Sequence, residues 1–281
     1  GGSCRLRPDD FRPAGDAGPE KPILKTANGR FAKSRSAMNK DELLRKAERP
    51  ARDALRLHPF YRGKIEVVPK CRISSPSDFA VWYTPGVAAP CREIAKDRSL
   101  VYQYTNKWNQ VAVVSDGSRV LGLGDIGPEA ALPTMEGKAL LFKYLGGVDA
   151  FPVCLEARDP DEIIQIVTAI QPSFGGINLE DIAQPKCFEI LDRLRAECRI
   201  PVWHDDQQGT AAVTLAGLIN ALRLVEKKIG EIRLALIGAG AANLCIARLL
   251  IAAGVRREKR RMNEDIVAAA LILLSWLVSP R

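Results

Sequence analysis

The chain has 281 residues, 47% of them hydrophobic and 26% charged, the composition of a soluble globular protein with one large domain or two modest ones. Its formal charge of +8 does not belong to the body of the chain: residues 1–37 carry 8 Lys and Arg against 4 Asp and Glu, and residues 256–281 carry 6 against 3, leaving +1 for everything between. This removes the electrostatic reason to expect nucleic acid as a partner, and the longest apolar run, 13 residues from Ile266 to Val278, is too short to cross a bilayer, so no membrane partner is expected.

Residues 1–37 are rich in Pro, Gly, Arg and Lys without an apolar period, and the first Met is Met38, so they read as a disordered basic leader. From Asn39 to about Leu57 the apolar residues Leu43, Leu44, Ala47, Ala51, Ala54 and Leu55 form a modest stripe on a charged helix. A helix this polar needs a partner surface. Lys64 to Pro69 reads as a short strand. In Trp82-Tyr83-Thr84-Pro85-Gly86-Val87, Thr84 before Pro85 reads as a helix start, with Tyr83 at its mouth either as a packed aromatic or as a functional group.

Val111 to Ser115 is a continuous apolar strand, Asp116-Gly117-Ser118-Arg119 a turn, and Val120 to Leu123 a second apolar run. Gly122-Leu123-Gly124-Asp125-Ile126-Gly127 matches GxGxxG, but no apolar helix is expected at its third glycine, so the match is weak. A helix is expected from about Pro133, placing Lys138 in its first turns. There the helix dipole opposes its charge and favours the neutral amine of a base; the alternative is a solvated lysine.

Gly147 to Leu155 and Ile163 to Ile170 continue as strand and helix. They lead to a strand–helix–strand unit: Gly175 to Leu179 breaks into Glu180-Asp181, Phe188, Ile190, Leu191 and Leu194 recur at helical spacing, and Ile200 to Trp203 breaks into His204-Asp205-Asp206. Parallel strands open their carboxyl ends on one edge, where α/β sheets bind ligands, so four carboxylates crowd one crevice. A hard divalent cation with oxygen ligands, Mg²⁺ or Mn²⁺, is the natural way to relieve their repulsion. His204 beside them reads as a packing or supporting residue.

After Thr210 a long apolar helix reaches about Val225. The run Ile232 to Ile237 is expected to be a strand entering Gly238-Ala239-Gly240-Ala241-Ala242-Asn243 and a helix from Leu244 to Ala253. Gly238 permits a tight turn and Gly240 close approach of a pyrophosphate to the helix N-terminus; Asn243 stands where a third glycine is usual. The cysteines at 4, 71, 91, 154, 187, 198 and 245 form no CxxC pair, and the two His residues are not spaced with them as zinc ligands, so reduced thiols and a cytoplasmic location are expected.

Taken together, Trp82 to Val87, Ser115-Asp116-Gly117, Gly122 to Gly127, Glu136-Gly137-Lys138, Asn178-Leu179-Glu180-Asp181-Ile182, His204-Asp205-Asp206-Gln207-Gln208-Gly209-Thr210-Ala211 and Gly238-Ala239-Gly240 resemble malic enzyme in its bacterial-type form, over about residue 39 to Val255. The resemblance implies an α/β fold: a malic enzyme N-terminal domain with a parallel sheet, then an incomplete Rossmann dinucleotide-binding domain. It implies oxidative decarboxylation of malate to pyruvate and CO₂ with NAD or NADP and Mg²⁺ or Mn²⁺. Carried over by position, it makes Glu180, Asp181 and Asp206 the metal ligands. Lys138 becomes the general base with Asp205 as its partner, Tyr83 the acid that protonates carbon after CO₂ leaves, and Arg119 the substrate-binding residue. Gly238, Gly240, Ala241 and Asn243 line the cofactor site, and a homo-oligomer, a dimer through the N-terminal helices, is implied.

The implied domains are a leader over 1–37, the catalytic and metal-binding domain over 38–208, the start of a NAD(P)-binding domain over 209–255, and a tail over 256–281 where the family pattern departs. About twenty positions past the glycines, where the fingerprint places an acidic residue, the run Arg256-Arg257-Glu258-Lys259-Arg260-Arg261 stands instead. The expected nucleotide site is incomplete. Two alternatives follow: a non-catalytic subunit that pairs with a longer malic enzyme, and a metal-dependent oxaloacetate decarboxylase that needs no hydride acceptor.

Overall fold

The structure, a computed structural model, describes residues 40–255, so the expectations for the leader and the tail lie outside the described residues. Two compact units divide between Leu55 and Arg56. The described part of the first is the bulk of α1 (Lys40–Tyr61), a polar helix with an Arg49–Asp53 pair of 3.3 Å one turn apart. The expected helix is present and runs four residues past its expected end at Leu57.

The second unit is built on a parallel sheet of β1 (Gln110–Ser115), β2 (Asp149–Cys154), β3 (Gly176–Leu179) and β4 (Val202–His204), in the order β2-β1-β3-β4. Val113 pairs with Pro152 and Asn178, and Leu179 pairs with His204. Parallel strands need crossovers, and α5 (Pro128–Gly146), α6 (Pro160–Ile170) and α7 (Lys186–Glu197) supply them. Alternate residues of a strand face opposite ways, so Val113 packs with Met135 and Ala139 of α5, while Val114 joins Ile163, Ile190 and Leu194 of α6 and α7. Full burial of each of these Val, Ile, Leu and Met side chains contributes about 1.5–3 kcal/mol. From β1 the chain steps outward to β2, then returns to the other side of β1 as β3. The sheet therefore has its topological switch point between β1 and β3, where the ends of such strands leave a crevice.

Before the sheet lie the short helices α2 (Asp78–Trp82), α3 (Ala88–Lys96) and α4 (Val101–Tyr104). After it come a π-helical turn over Asp205–Gly209, then α8 (Thr210–Leu224) and α9 (Ala241–Ala252), which pack through Ala211, Ile246 and Leu250.

Several local expectations are corrected. Lys64 to Pro69 and Ile232 to Ile237 carry no regular secondary structure and are not strands, since neither pairs with a described strand to complete a ladder. Val120 to Leu123 is likewise a turn closed by a bridge from Val120 to Gly124. The helix foreseen at Thr84-Pro85 begins at Ala88. α5 begins at Pro128, directly after the third glycine of the first glycine motif, and Pro133 lies inside it.

Candidate active site

β3 delivers the first two carboxylates. Asn178 and Glu180 are two residues apart and point to one side, and the Asn178 amide donates to Glu180 Oε2 at 2.9 Å. Asp181 turns the chain away at φ +54°, a left-handed conformation that Asp accepts more readily than most residues. Its backbone N–H donates to Asp206 Oδ2 at 2.9 Å, which ties the end of β3 to the turn that follows β4. One carboxylate oxygen from each of Glu180, Asp181 and Asp206 lies within 4.8 Å of the other two, close enough for one hard cation to bridge them.

A buried turn holds this loop in place. Asp116, fully buried, accepts from the N–H and hydroxyl of Ser118 at 3.0 and 2.6 Å and pairs with Lys186. Ser118 Oγ in turn accepts from the Ala183 N–H at 2.8 Å, and the Arg119 N–H donates to the Asp181 carbonyl at 3.0 Å. Gly117 is required there: at φ +66° a Cβ would stand 2.1 Å from the Gly127 carbonyl oxygen.

The electrostatics are those of crowded charge. Burial, with Asp206 adding to it, pushes Glu180 up to about 7 despite the pull of Lys138 and Asn178. Burial and Asp206 likewise push Asp181 up to about 6. Lys138 Nζ lies 2.7 Å from Asp205 Oδ2 and 3.0 Å from Glu180 Oε1. Burial disfavours its charge, but these two carboxylates outweigh burial and raise its pKa. The neutral lysine expected from a helix N-terminus is corrected on both counts. Lys138 stands in the middle of α5, away from the dipole's positive end, and its partners stabilise the ammonium. His204 is completely buried with both ring nitrogens unpartnered; its Nδ1 is 3.8 Å from Asp206 Oδ2, and burial lowers its pKa to about 4.

The structure thus brings together Lys138, Glu180, Asp181, Asp205 and Asp206, with the backbone of Arg119 against Asp181 and its side chain exposed. Tyr83 is 70% exposed and its hydroxyl has no hydrogen bond among the described residues. In the second glycine loop, Gly238 has φ +98° and Gly240 caps α9, whose first residue is Ala241. The Asn243 amide donates to the carbonyls of Ile237 and Gly238 at 2.7 and 3.1 Å, so it fastens the loop from within. Gln184, three residues past Asp181, has its side-chain oxygen 3.5 Å from where a Cβ on Gly240 would sit. The glycine loop therefore adjoins the acidic loop. Sequence reasoning assigned no contact to Asn178, Asp116 or Lys186; only the two-residue spacing of Asn178 and Glu180 signalled a shared face.

Carboxylates gathered at the carboxyl ends of β3 and β4, beside a glycine loop that enters a helix, define an α/β protein with an acidic crevice at its sheet edge. Residues 62–195 match the family described as malic enzyme, N-terminal domain, and residues 207–268 match malic enzyme, NAD binding domain. The chain is 59% identical over 194 residues to the NAD-dependent malic enzyme of Geobacillus stearothermophilus, covering 69% of this chain and 41% of that one. It is 48% identical over 206 residues to the NADP-dependent malic enzyme of Haemophilus influenzae, covering 73% of this chain and 27% of the other. The crystal structure of malic enzyme from Pyrococcus horikoshii superposes with a TM-score of 0.71 at 60% identity, covering 74% of this chain and 49% of that chain. The chain belongs to the malic enzyme family, and it spans about half or less of the length of these relatives. The NAD-binding match reaches 13 residues beyond Val255. Among the described residues no helix is long and apolar enough to cross a membrane.

Proposed function

We propose that the chain carries the catalytic centre of a malic enzyme, converting malate and NAD⁺ or NADP⁺ to pyruvate, CO₂ and the reduced nucleotide. The observation that carries this reading is the convergence of Glu180, Asp181 and Asp206 within 4.8 Å beside Lys138, in a chain of this family. Three carboxylate donors, two of them buried and pushed toward neutrality by burial and by Asp206, suit Mg²⁺ or Mn²⁺, and Glu180, Asp181 and Asp206 would hold it. Bound there, the cation supplies positive charge against the developing oxyanion, and the nucleotide supplies the hydride acceptor.

The chain's own residues then divide the remaining work. Arg119, exposed beside Asp181, grips a substrate carboxylate with its guanidinium. Lys138 takes the proton of the 2-hydroxyl as hydride leaves C2. Its ammonium must first release a proton to solvent, and a cation held by Glu180, Asp181 and Asp206 would ease that loss by engaging one of the two carboxylates that stabilise the charge. Asp205 holds the amine in position. After the C3–C4 bond breaks and CO₂ leaves, Tyr83, whose hydroxyl is uncommitted, returns a proton to C3. Gly238, Gly240 and Ala241 offer the backbone approach and helix N-terminus for the pyrophosphate, with Asn243 keeping the loop in shape.

Residues 38–208 serve as the catalytic domain, 209–255 as the start of the nucleotide domain, and the chain assembles as a dimer through its N-terminal helices. Exposed Phe60, Tyr61 and Trp82 support the pairing face. The free thiols at Cys71, Cys91, Cys154, Cys187, Cys198 and Cys245 suit the cytoplasm.

A half-reaction isolates this chemistry from nucleotide binding. With Mn²⁺ in D₂O, the protein should exchange the methyl protons of pyruvate for deuterium, followed by NMR. Lys138→Ala and Tyr83→Phe should each slow exchange by about a hundredfold or more. Exchange that proceeds at the parent rate in both variants contradicts the assignment.

A further inference from the structure

At the opposite edge of the sheet lies a cavity of about 490 Å³, lined by Ile94, Arg98, Val101, Tyr102, Lys107 and Arg199 among others. Lys107 precedes β1 and Arg199 precedes β4, so this is the amino-end edge, whereas the acidic centre stands at the carboxyl ends. β1 has six residues between the two. At about 3.3 Å per residue they are roughly 20 Å apart.

The cavity concentrates positive charge without a counter-charge. Lys107 is buried, and its Nζ donates to the carbonyls of Gln171 at 2.8 Å, Pro172 at 3.0 Å and Phe174, with no carboxylate partner. Its three protons are therefore spent on locking the turn before β3, while its charge stays uncompensated. Burial and the neighbouring Arg199 both press its pKa down. Neither the Arg98 nor the Arg199 guanidinium has an ion pair or hydrogen bond among the described residues. The carboxylates nearest in sequence are committed elsewhere: Asp97 accepts from Ser99 at 2.9 and 2.7 Å, Glu93 from Lys96 at 2.7 Å, and Glu197 from Arg193 at 3.4 Å.

A buried cation without a partner charge is costly, and two free guanidinium groups at the same opening present planar donors that match carboxylate or phosphate oxygens. The remaining wall is mostly apolar, with Ile94, Val101, Pro172, Ile200 and the ring of Tyr102, 5.5 Å from Lys107 Nζ, beside the polar Ser99 and Gln171. The volume is that of a small-molecule site.

We propose that this cavity binds a small dianion with an apolar body, a phosphate monoester or a dicarboxylate, independently of the catalytic centre. Arg98 and Arg199 hold its charged oxygens, Lys107 supplies the field behind them, and Tyr102 with its aliphatic neighbours covers the apolar part.

Isothermal titration of the chelator-treated, metal-free 281-residue chain at low ionic strength tests the site, with inorganic phosphate, phenyl phosphate and succinate as probes. Saturable one-to-one binding of at least one probe is expected, weakened tenfold or more in Arg98→Gln/Arg199→Gln and unchanged in Asp206→Ala. The double variant alters two exposed side chains, and an unchanged melting temperature will show that it folds. Phenyl phosphate tighter than inorganic phosphate identifies the ester class, and succinate tighter than both identifies the dicarboxylate class. No saturable binding by any probe, or equal affinity in the double variant, overturns the proposal. Loss of binding in Asp206→Ala also overturns it, by placing the anion at the catalytic centre.

Discussion

Replacing Glu180 by glutamine separates a metal ligand from a buried charge kept for stability. Burial and Asp206 raise Glu180 from 4.5 to about 7. Its folded-state pKa therefore exceeds its unfolded value, so the proton-linked stability is fully present below pH 4.5 and is lost as pH rises through 7. At 1.36 kcal/mol per unit, the ionised carboxylate at pH 8 costs the metal-free fold up to about 3 kcal/mol relative to a neutral group. Glutamine is neutral and nearly isosteric: its carbonyl oxygen can accept from Lys138 in place of Oε1, and with the Asn178 amide turned over its NH2 can donate to Asn178 Oδ1, which has no partner beside the native carboxylate. Metal-free Glu180→Gln should therefore melt several degrees above the parent at pH 8, with the difference vanishing near pH 4.5. Added Mn²⁺ should reverse the order. A ligand at a hundred times its Kd stabilises by about 2.7 kcal/mol, and the parent should gain this while the variant gains little. Thermal melts in chelator and in Mn²⁺, at both pH values, supply the comparison. A variant less stable than the parent in chelator at pH 8, or one that gains as much from Mn²⁺, refutes the reasoning.

The same two raised carboxylates set the pH dependence of the metal. Glu180 at about 7 and Asp181 at about 6 must lose their protons to become ligands, so Mn²⁺ affinity should climb from pH 5 to pH 8 with protons released on binding, measurable by titration calorimetry in buffers of different ionisation enthalpy. A flat profile would contradict these assignments. Gly209→Ala tests the lysine's partner: a Cβ there would lie 2.1 Å from Asp205 Oδ1, so the carboxylate must swing away from Lys138. Since the backbone of Gly209 is ordinary right-handed helix, the variant should fold, keep its Mn²⁺ affinity within a few fold, and lose pyruvate proton exchange about tenfold or more. Parent-like exchange would mean that Asp205 does not position the amine.

What was legible from the sequence follows from how local each signal is. The strand–helix–strand unit over β3, α7 and β4 was readable because its apolar residues recur at strand and helix spacing and its carboxylates stand just past the strand ends. The sheet order was not legible, since pairing of β1 with β3 is set by packing between distant segments. For the same reason Lys64 to Pro69 and Ile232 to Ile237 carry strand-like composition yet form no ladder among the described residues: composition favours an extended chain, but only a neighbour completes it. The start of α5 was missed because Glu129 and Pro133 mask its apolar period. That error moved Lys138 to a helix end and gave it the wrong charge state. Asn178, Asp116 and Lys186 act through partners 2, 70 and 70 residues away, and only the first of these distances is visible as a pattern. The basic cavity joins residues from three connections and has no sequence signature.

The proposed centre requires Glu180, Asp181 and Asp206 to hold a divalent cation together. Binding of Mn²⁺ to the 281-residue chain, followed by the loss of the free ion's paramagnetic resonance signal, tests it most directly. One saturable site per chain is expected in the parent, with affinity at least a hundredfold weaker in Asp206→Ala and the fold retained by circular dichroism. Equal affinity in the two proteins would contradict it.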